Sequence, residues 1–218
     1  MRTSAGYFFM DYEKPSLTWP EHLVTLKQQG LVVSPSDYHY LPLISFHRLS
    51  SYFGVFYQSN QTKFDIGTTF TKVWQLYEFD RELRLLVSDA VERIEVAFRT
   101  ALSETMSSQY GSHWFMQPHL FKNHIVYQRF IEKARQACQD NHDEELKHYY
   151  SRYDSPAFPP SWILVEKLSF GTCSNLFRNL QSVKDRKQIS QVWGYHPTLI
   201  ASWIDALRYT LDSVVFEV

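Results

Sequence analysis

Arg135 and His142, in the segment RQACQDNH, have six residues between them. An arginine that holds a phosphate beside a histidine that shuttles a proton is the equipment of metal-independent ribonucleases, where the proton moves at the ribose 2′-hydroxyl. The spacing is loose for that purpose, and the plainer reading makes both residues solvent-facing members of a polar helix end. A second run, FRNLQSVKDRK, sets Arg178, Lys184, Arg186 and Lys187 against Asp185. Such a cluster can hold RNA phosphates, and it describes a solvated surface equally well.

Other chemistry is scarce. The nine histidines form no HxxxH or HExxH pattern and no cluster with cysteine. His142 and His148, or His119 and His124, are badly spaced for one helix face, so no metal site is expected. A GxSxG elbow is lacking, which removes the usual setting of a serine nucleophile. Walker and GxGxxG loops are lacking too, so neither a nucleotide cofactor nor any other cofactor is expected.

Composition narrows the scaffold that must carry these residues. The chain has 218 residues and only 7 glycines, about 3% where about 7% is usual. Folds built on many left-handed turns need more glycine than that, so a mostly helical chain is expected. The 22 basic and 23 acidic residues leave no global electrostatic footprint for nucleic acid or membrane, and an RNA site would be a local patch. Cys138 and Cys173 make no CxxC pair and suit a reducing compartment. No stretch is apolar for long enough to cross a membrane, and the start of the chain lacks a signal-peptide core. A soluble, cytoplasmic protein is the reading that follows.

Periodicity supplies the elements. TWPEHLVTLKQQGL reads as a helix capped by Thr18 and stopped at Gly30. Leu41 to Gln58 reads as a second, aromatic-rich helix. From Thr69 to Met106, Val73, Leu76, Leu83, Val87, Val91, Ile94, Phe98 and Leu102 recur every three or four residues. That stripe predicts one long central helix, or two nearly collinear ones, ended by Gly111 and Pro118. A helical stretch follows from Phe121 to Tyr150, with a break near Asp140-Asn141. The segment SRYDSPAFPPSW holds three of the nine prolines and reads as a rigid extended connection. Beyond it, Ser161 is expected to cap WILVEKLSF, Gly171 to interrupt, and Val183–Trp193 to form a short helix stopped by Gly194. Pro197 opens the last helix, with Ile200, Trp203, Leu207 and Leu211 on one face. The expected fold is all-α, a helical bundle around the long central helix. It is read as one domain over 1–218, with a sub-boundary at 154–161.

Inside the long stripe, Asp80 falls on the side of Leu76, Leu83 and Val87, so its carboxylate should be at least half-buried and needs a partner. Arg84, at i+4, can supply it. Glu95 and Arg99 stand at the same spacing. The bland alternative is a set of surface ion pairs worth a few tenths of a kcal/mol each.

Several segments, in order from Pro15 to Tyr209, resemble a known family. They are PSLTWPEHLVTLKQQGL, LISFHRLSSYFGVF, FTKVWQLYEFDRELRLLVSDAVERIEVAFRT, YGSHWF, PPSWILVEKLSFGTCSNLFRNL and HPTLIASWIDALRY. The family is that of the Abi-like proteins of bacteria, of the AbiD/AbiF type of abortive-infection phage defence, and it is similar to the HEPN superfamily of helical RNA-targeting proteins. The resemblance implies a HEPN-like fold, RNA as partner, a homodimer, and metal-independent endoribonuclease activity from an RN-x-x-x-H motif. That motif would follow SWIDALRY. Here Leu211 and Asp212 occupy the Arg-Asn positions and no histidine follows, so the catalytic pair is missing from its expected place. The resemblance further marks Arg48, Tyr52, Asp80, Arg84, Glu95, Arg99, Phe170 and Gly171 as framework positions. Three functions stay open at this point: an RNA-cleaving defence protein, a non-catalytic helical module that binds RNA or protein, and a truncated, inactive family member.

Overall fold

The computed structural model describes residues 15–59, 62–139 and 143–216, without the side chains of 211–216. Among the described residues the fold is all-α, and its only extended pairings are isolated bridges, such as that between Phe121 and Leu180. The chain divides into two compact units, residues 1–83 and 84–218, and the proline-rich segment 154–161 lies inside the second.

In the first unit, α1 (Trp19–Gln28) starts where Thr18 donates its backbone N–H and its hydroxyl to Glu21 Oε2, at 2.6 and 2.7 Å. This capping box satisfies groups that a helix start leaves without partners. The helix ends at Gly30, whose φ of +99° few other residues adopt. Leu41 to Gln58 is not the single helix that its apolar spacing suggested. It breaks into a 3₁₀ turn (Leu41–Leu43), α2 (Phe46–Ser50) and a second 3₁₀ turn (Phe53–Phe56). Pro42 has no N–H to continue a helix, and Ser45 restarts one by accepting the Arg48 N–H.

These pieces pack Leu23, Leu26, Leu49, Phe53 and Phe64 onto Phe70, Val73 and Trp74 of the next helix. Buried Asp37 accepts the Thr71 hydroxyl at 3.0 Å. Asp80 is half-buried, as its place in the stripe requires, and the Tyr52 hydroxyl donates to it at 2.5 Å. Tyr52 is thus a partner from outside the helix, which a spacing argument confined to one helix does not reach.

α3 (Phe70–Tyr110) is one helix of 41 residues, which settles the choice between one helix and two. Its stripe is buried unevenly. Val73, Val91, Phe98 and Leu102 are buried, whereas Leu83 is 46% exposed.

The second unit holds α4 (His124–Ala137), α5 (Glu144–Tyr150), α6 (Ser161–Lys167), α7 (Phe170–Asn179), α8 (Val183–Ser190) and α9 (Pro197–Phe216). α4 ends at Ala137 and α5 begins at Glu144, while Asp140 and Asn141, where the break is expected, lie outside the described residues. Two boundaries differ from the sequence reading. Pro160, not Ser161, occupies the cap position of α6, and the buried Ser161 hydroxyl instead meets those of Ser103 and Ser107 at 3.0 and 2.7 Å. The interruption falls at Leu168-Ser169, where the Ser169 hydroxyl caps α7 by accepting the Thr172 N–H. Gly171 sits in the first turn of α7. A Cβ there would lie 2.8 Å from Cδ of Arg208, so glycine is what lets that side chain cross. In α9, Ile200 and Ile204 are buried while Trp203 is 43% exposed. The buried face therefore runs one position away from the one the tryptophan suggested.

Arg99 is buried in this core, beside Phe98 and Leu102. Its guanidinium pairs with Glu95 one turn back and donates to the carbonyl of Val165 in α6. The Cys173 thiol also points at that carbonyl, 3.7 Å away, and burial pushes the thiol's pKa up to about 12. Glu95 and Arg99 are thus an internal pair and not a surface one.

Removing one member of a buried ion pair costs about 3–5 kcal/mol. Arg99→Leu is expected to lose stability on that scale in urea denaturation, and a loss below about 1 kcal/mol would contradict the burial described. A hydrogen bond to a charged group contributes about 1.5–3 kcal/mol. Tyr52→Phe and Asp80→Ala should each lower the unfolding free energy by about 1–3 kcal/mol and combine less than additively in a double-mutant cycle.

Candidate nucleic-acid interface

A cleft of the second unit forms where α7 packs against α4 and α9 and α8 packs against α9. It has a volume of about 750 Å³, and its walls include Lys122, Arg178, Arg186, His196 and Asp205.

Its construction begins at Asn179, which is buried at the end of α7. The Asn179 amide accepts the Asn123 N–H and donates to the Asn123 carbonyl, both at 2.9 Å. The main chain adds Lys122 N–H to the Asn179 carbonyl at 2.9 Å and Gln181 N–H to the Leu120 carbonyl at 2.7 Å. These bonds hold the segment before α4 against the end of α7, which brings Lys122 to the cleft that Arg178 lines. Ser182 caps α8 by accepting the Asp185 N–H. Asp185 itself is buried and accepts the Tyr110 hydroxyl at 2.8 Å, a bond that pushes the tyrosine pKa up. The α8 helix so fixed carries Arg186, whose guanidinium reaches the Arg178 carbonyl at 3.4 Å.

Arg178 is the hinge of the electrostatics. One guanidinium nitrogen bonds the Ala201 carbonyl at 2.6 Å and the Asp205 carboxylate. The Ser174 hydroxyl reaches the same carboxylate at 3.4 Å. The Arg178 Nε is buried and has no partner among the described residues. Three cations, Lys122, Arg178 and Arg186, thus line the cleft with the single carboxylate of Asp205. Desolvation, and after it the charges of Arg186 and Arg178, hold the Lys122 ammonium below the usual lysine range. His196 Nδ1 accepts the Thr198 N–H at 3.3 Å. The neutral ring then carries its proton on Nε2, where it can donate to an anion.

Of the cationic run singled out in the sequence, the cleft takes Arg178 and Arg186, while Lys184 and Lys187 are exposed and lie outside its lining. Lys122 and His196 were missed, because what brings them in is the Asn179 side-chain amide bonded to Asn123, 56 residues away, and a helix cap. Arg135 is exposed on α4 and pairs with Glu132 at 2.6 Å, and His142 lies outside the described residues. Arg48 is exposed, Arg84 half-buried, and Phe170 is buried edge-on to Phe98. Among the described residues no group of histidine, cysteine and carboxylate side chains could hold a metal ion, and no helix is long and apolar enough to cross a membrane.

A family model described as Abi-like protein matches residues 39–211. No curated protein and no solved structure matches the chain.

The depressed value of Lys122 gives a signed prediction. Its folded pKa lies below the unfolded one, so protonated Lys122 costs stability at neutral pH. That cost disappears as pH rises from the folded value toward the usual lysine value. In low salt at neutral pH, Lys122→Gln is expected to raise the melting temperature by about 1–2 °C and to shrink the rise that inorganic phosphate produces. A lower melting temperature with an unchanged phosphate response would contradict the cationic crowding.

Proposed function

The chain belongs to the Abi-like protein family, and we propose that it is a phage-defence protein of the AbiD/AbiF type that holds RNA in the cleft of Lys122, Arg178 and Arg186. The family match supports a role in phage resistance by abortive infection in general. The HEPN relationship and the RNA target are finer readings. The observation that supports the RNA target is the charge count of the cleft, three cations with one carboxylate, together with the buried Nε of Arg178, which has no partner among the described residues; the HEPN relationship rests on the sequence resemblance alone.

Uncompensated like charges are costly to hold together, and an incoming phosphate removes that cost while the cleft already has its shape. Arg178 and Arg186 offer guanidinium donors, Lys122 a point charge, and His196 Nε2 a further donor. Such a set suits a chain of phosphates better than one isolated carboxylate. The near-neutral whole-chain charge agrees with a site confined to one cleft.

Holding is the activity proposed, and cutting is separated from it by experiment. The RN-x-x-x-H positions that the family resemblance points to are Leu211 and Asp212 here, so RNA incubated with the protein in the absence of divalent metal is expected to stay intact. Progressive fragmentation would assign a ribonuclease activity instead. For binding to single-stranded RNA, each phosphate contact adds about 0.7 to the slope of log K against log salt. Lys122→Ala with Arg186→Ala is expected to weaken binding for all RNA sequences alike and to reduce that slope by about 1.4. An unchanged slope would place the RNA elsewhere.

A further inference from the structure

A second cleft of the same unit, about 480 Å³, is walled by α5, the segment after it and the start of α6. Its size falls within the roughly 300–1,000 Å³ of small-molecule sites. Its walls join aromatic rings to nitrogen-bearing side chains: Tyr149, Tyr153 and Trp162 line it with His148 and the Arg152 guanidinium. Two of the rings are wet, Tyr153 at 53% exposure and Trp162 at 54%, although large aromatic side chains are usually covered. Neither His148 nor Arg152 has a side-chain hydrogen bond or ion pair with another described residue, whereas Glu145, the carboxylate of the lining, is already engaged by Lys167 at 2.8 Å.

The rings stand on a fixed base. The Tyr149 hydroxyl donates to the Phe158 carbonyl at 3.1 Å, and His113 Nε2 meets the same carbonyl at 3.0 Å. With Nε2–H donating there, His113 Nδ1 accepts the Ser112 hydroxyl, 2.9 Å away. Tyr153 packs on Tyr149 with ring centres 5.1 Å apart. The start of α6, which carries Trp162, is pinned by Ser161: its N–H donates to the Ser112 carbonyl at 2.8 Å, and its hydroxyl meets Ser103 and Ser107. An exposed ring on a rigid support keeps its face available for stacking at little entropic cost.

We infer that this cleft takes a nucleotide, its base stacked on Tyr153 or Trp162 and its phosphate held by Arg152 and His148. Exposed π faces accept any base, and the adjacent Arg152 guanidinium, with the His148 ring as a further polar group, calls for an anion on the same ligand. A neutral sugar or an apolar side chain would leave that guanidinium uncompensated. No glycine loop is needed, because the base carries the recognition. An unpaired base of RNA and a free mononucleotide share this chemistry. Only the first source rests on the RNA-holding reading.

The experiment titrates the full chain with AMP, with ribose 5-phosphate, and with a single-stranded oligo(A) RNA, read by calorimetry. AMP is expected to bind, ribose 5-phosphate to bind far more weakly, and Tyr153→Ala or Trp162→Ala to weaken AMP about tenfold. Tyr153→Phe, which keeps the ring, retains the affinity, and the ring-dependent part of AMP binding survives Lys122→Ala with Arg186→Ala. Circular dichroism melts confirm that the variants fold. If AMP binds and oligo(A) does not, the RNA-holding reading fails and the nucleotide site stands with a free nucleotide as its ligand. If oligo(A) alone binds and weakens on loss of Tyr153 or Trp162, the source is RNA. The inference is overturned if ribose 5-phosphate binds as tightly as AMP, or if neither AMP nor oligo(A) responds to both ring removals.

Discussion

A guanidinium cannot lie in an apolar core without partners, and Arg99 lies there. Its solution organises the second unit. Glu95 neutralises it from one turn back, and the carbonyl of Val165 takes another of its donors. That carbonyl is one that a helix end leaves over, because the chain departs from helical geometry at Leu168 before an amide four residues on can reach it. One contact thus links two features that look separate in the sequence: an arginine on the buried side of α3, and a helix that stops after seven residues with no glycine in the break. The nearby Cys173 thiol, its pKa pushed up by burial, stays neutral and adds no second charge to the site.

From that break the geometry of the cationic cleft follows. Ser169 restarts the chain as α7, Gly171 leaves room for Arg208 to cross, and ten residues of helix end at Asn179. Asn179 then binds the segment ahead of α4 by its side chain and its main chain. Lys122 joins Arg178 at the cleft because an amide, not a charge, holds it there. The two arginines are positioned as firmly, one by Asp205 and the Ala201 carbonyl, the other by a capped α8. Three like charges are thus held by neutral contacts and a single carboxylate, and on that arrangement the proposed RNA site rests.

Much of the scaffold was legible in the sequence. Thr18, Gly30 and Gly194 mark helix limits by local chemistry alone, and an apolar period unbroken by proline or glycine over nearly forty residues leaves α3 little choice. The failures share a cause. Leu41 to Gln58 kept a helical spacing of apolar residues but not a helix, since Pro42 and Ser45 imposed local breaks. Trp203 was placed on the buried face for its hydrophobicity, although its neighbours Ile200 and Ile204 take that face. Tyr52 was found for Asp80 only by tertiary contact, 28 residues away. The site was less legible than the fold. Arg178 and Arg186 were visible as a basic run, but a run does not say which of its members turn inward, and Lys122 and His196 carry no local signal.

On this near-neutral chain of the Abi-like family, the cleft of Lys122, Arg178 and Arg186 is the place proposed to hold RNA. The most direct test is hydrogen–deuterium exchange of the whole protein with and without single-stranded RNA at moderate salt. The account predicts slowed exchange at 120–123, 178–186 and 196–202, the three segments that wall the cleft, and loss of that protection when salt is raised. Protection confined to other segments, or none at RNA concentrations that saturate binding, would contradict it.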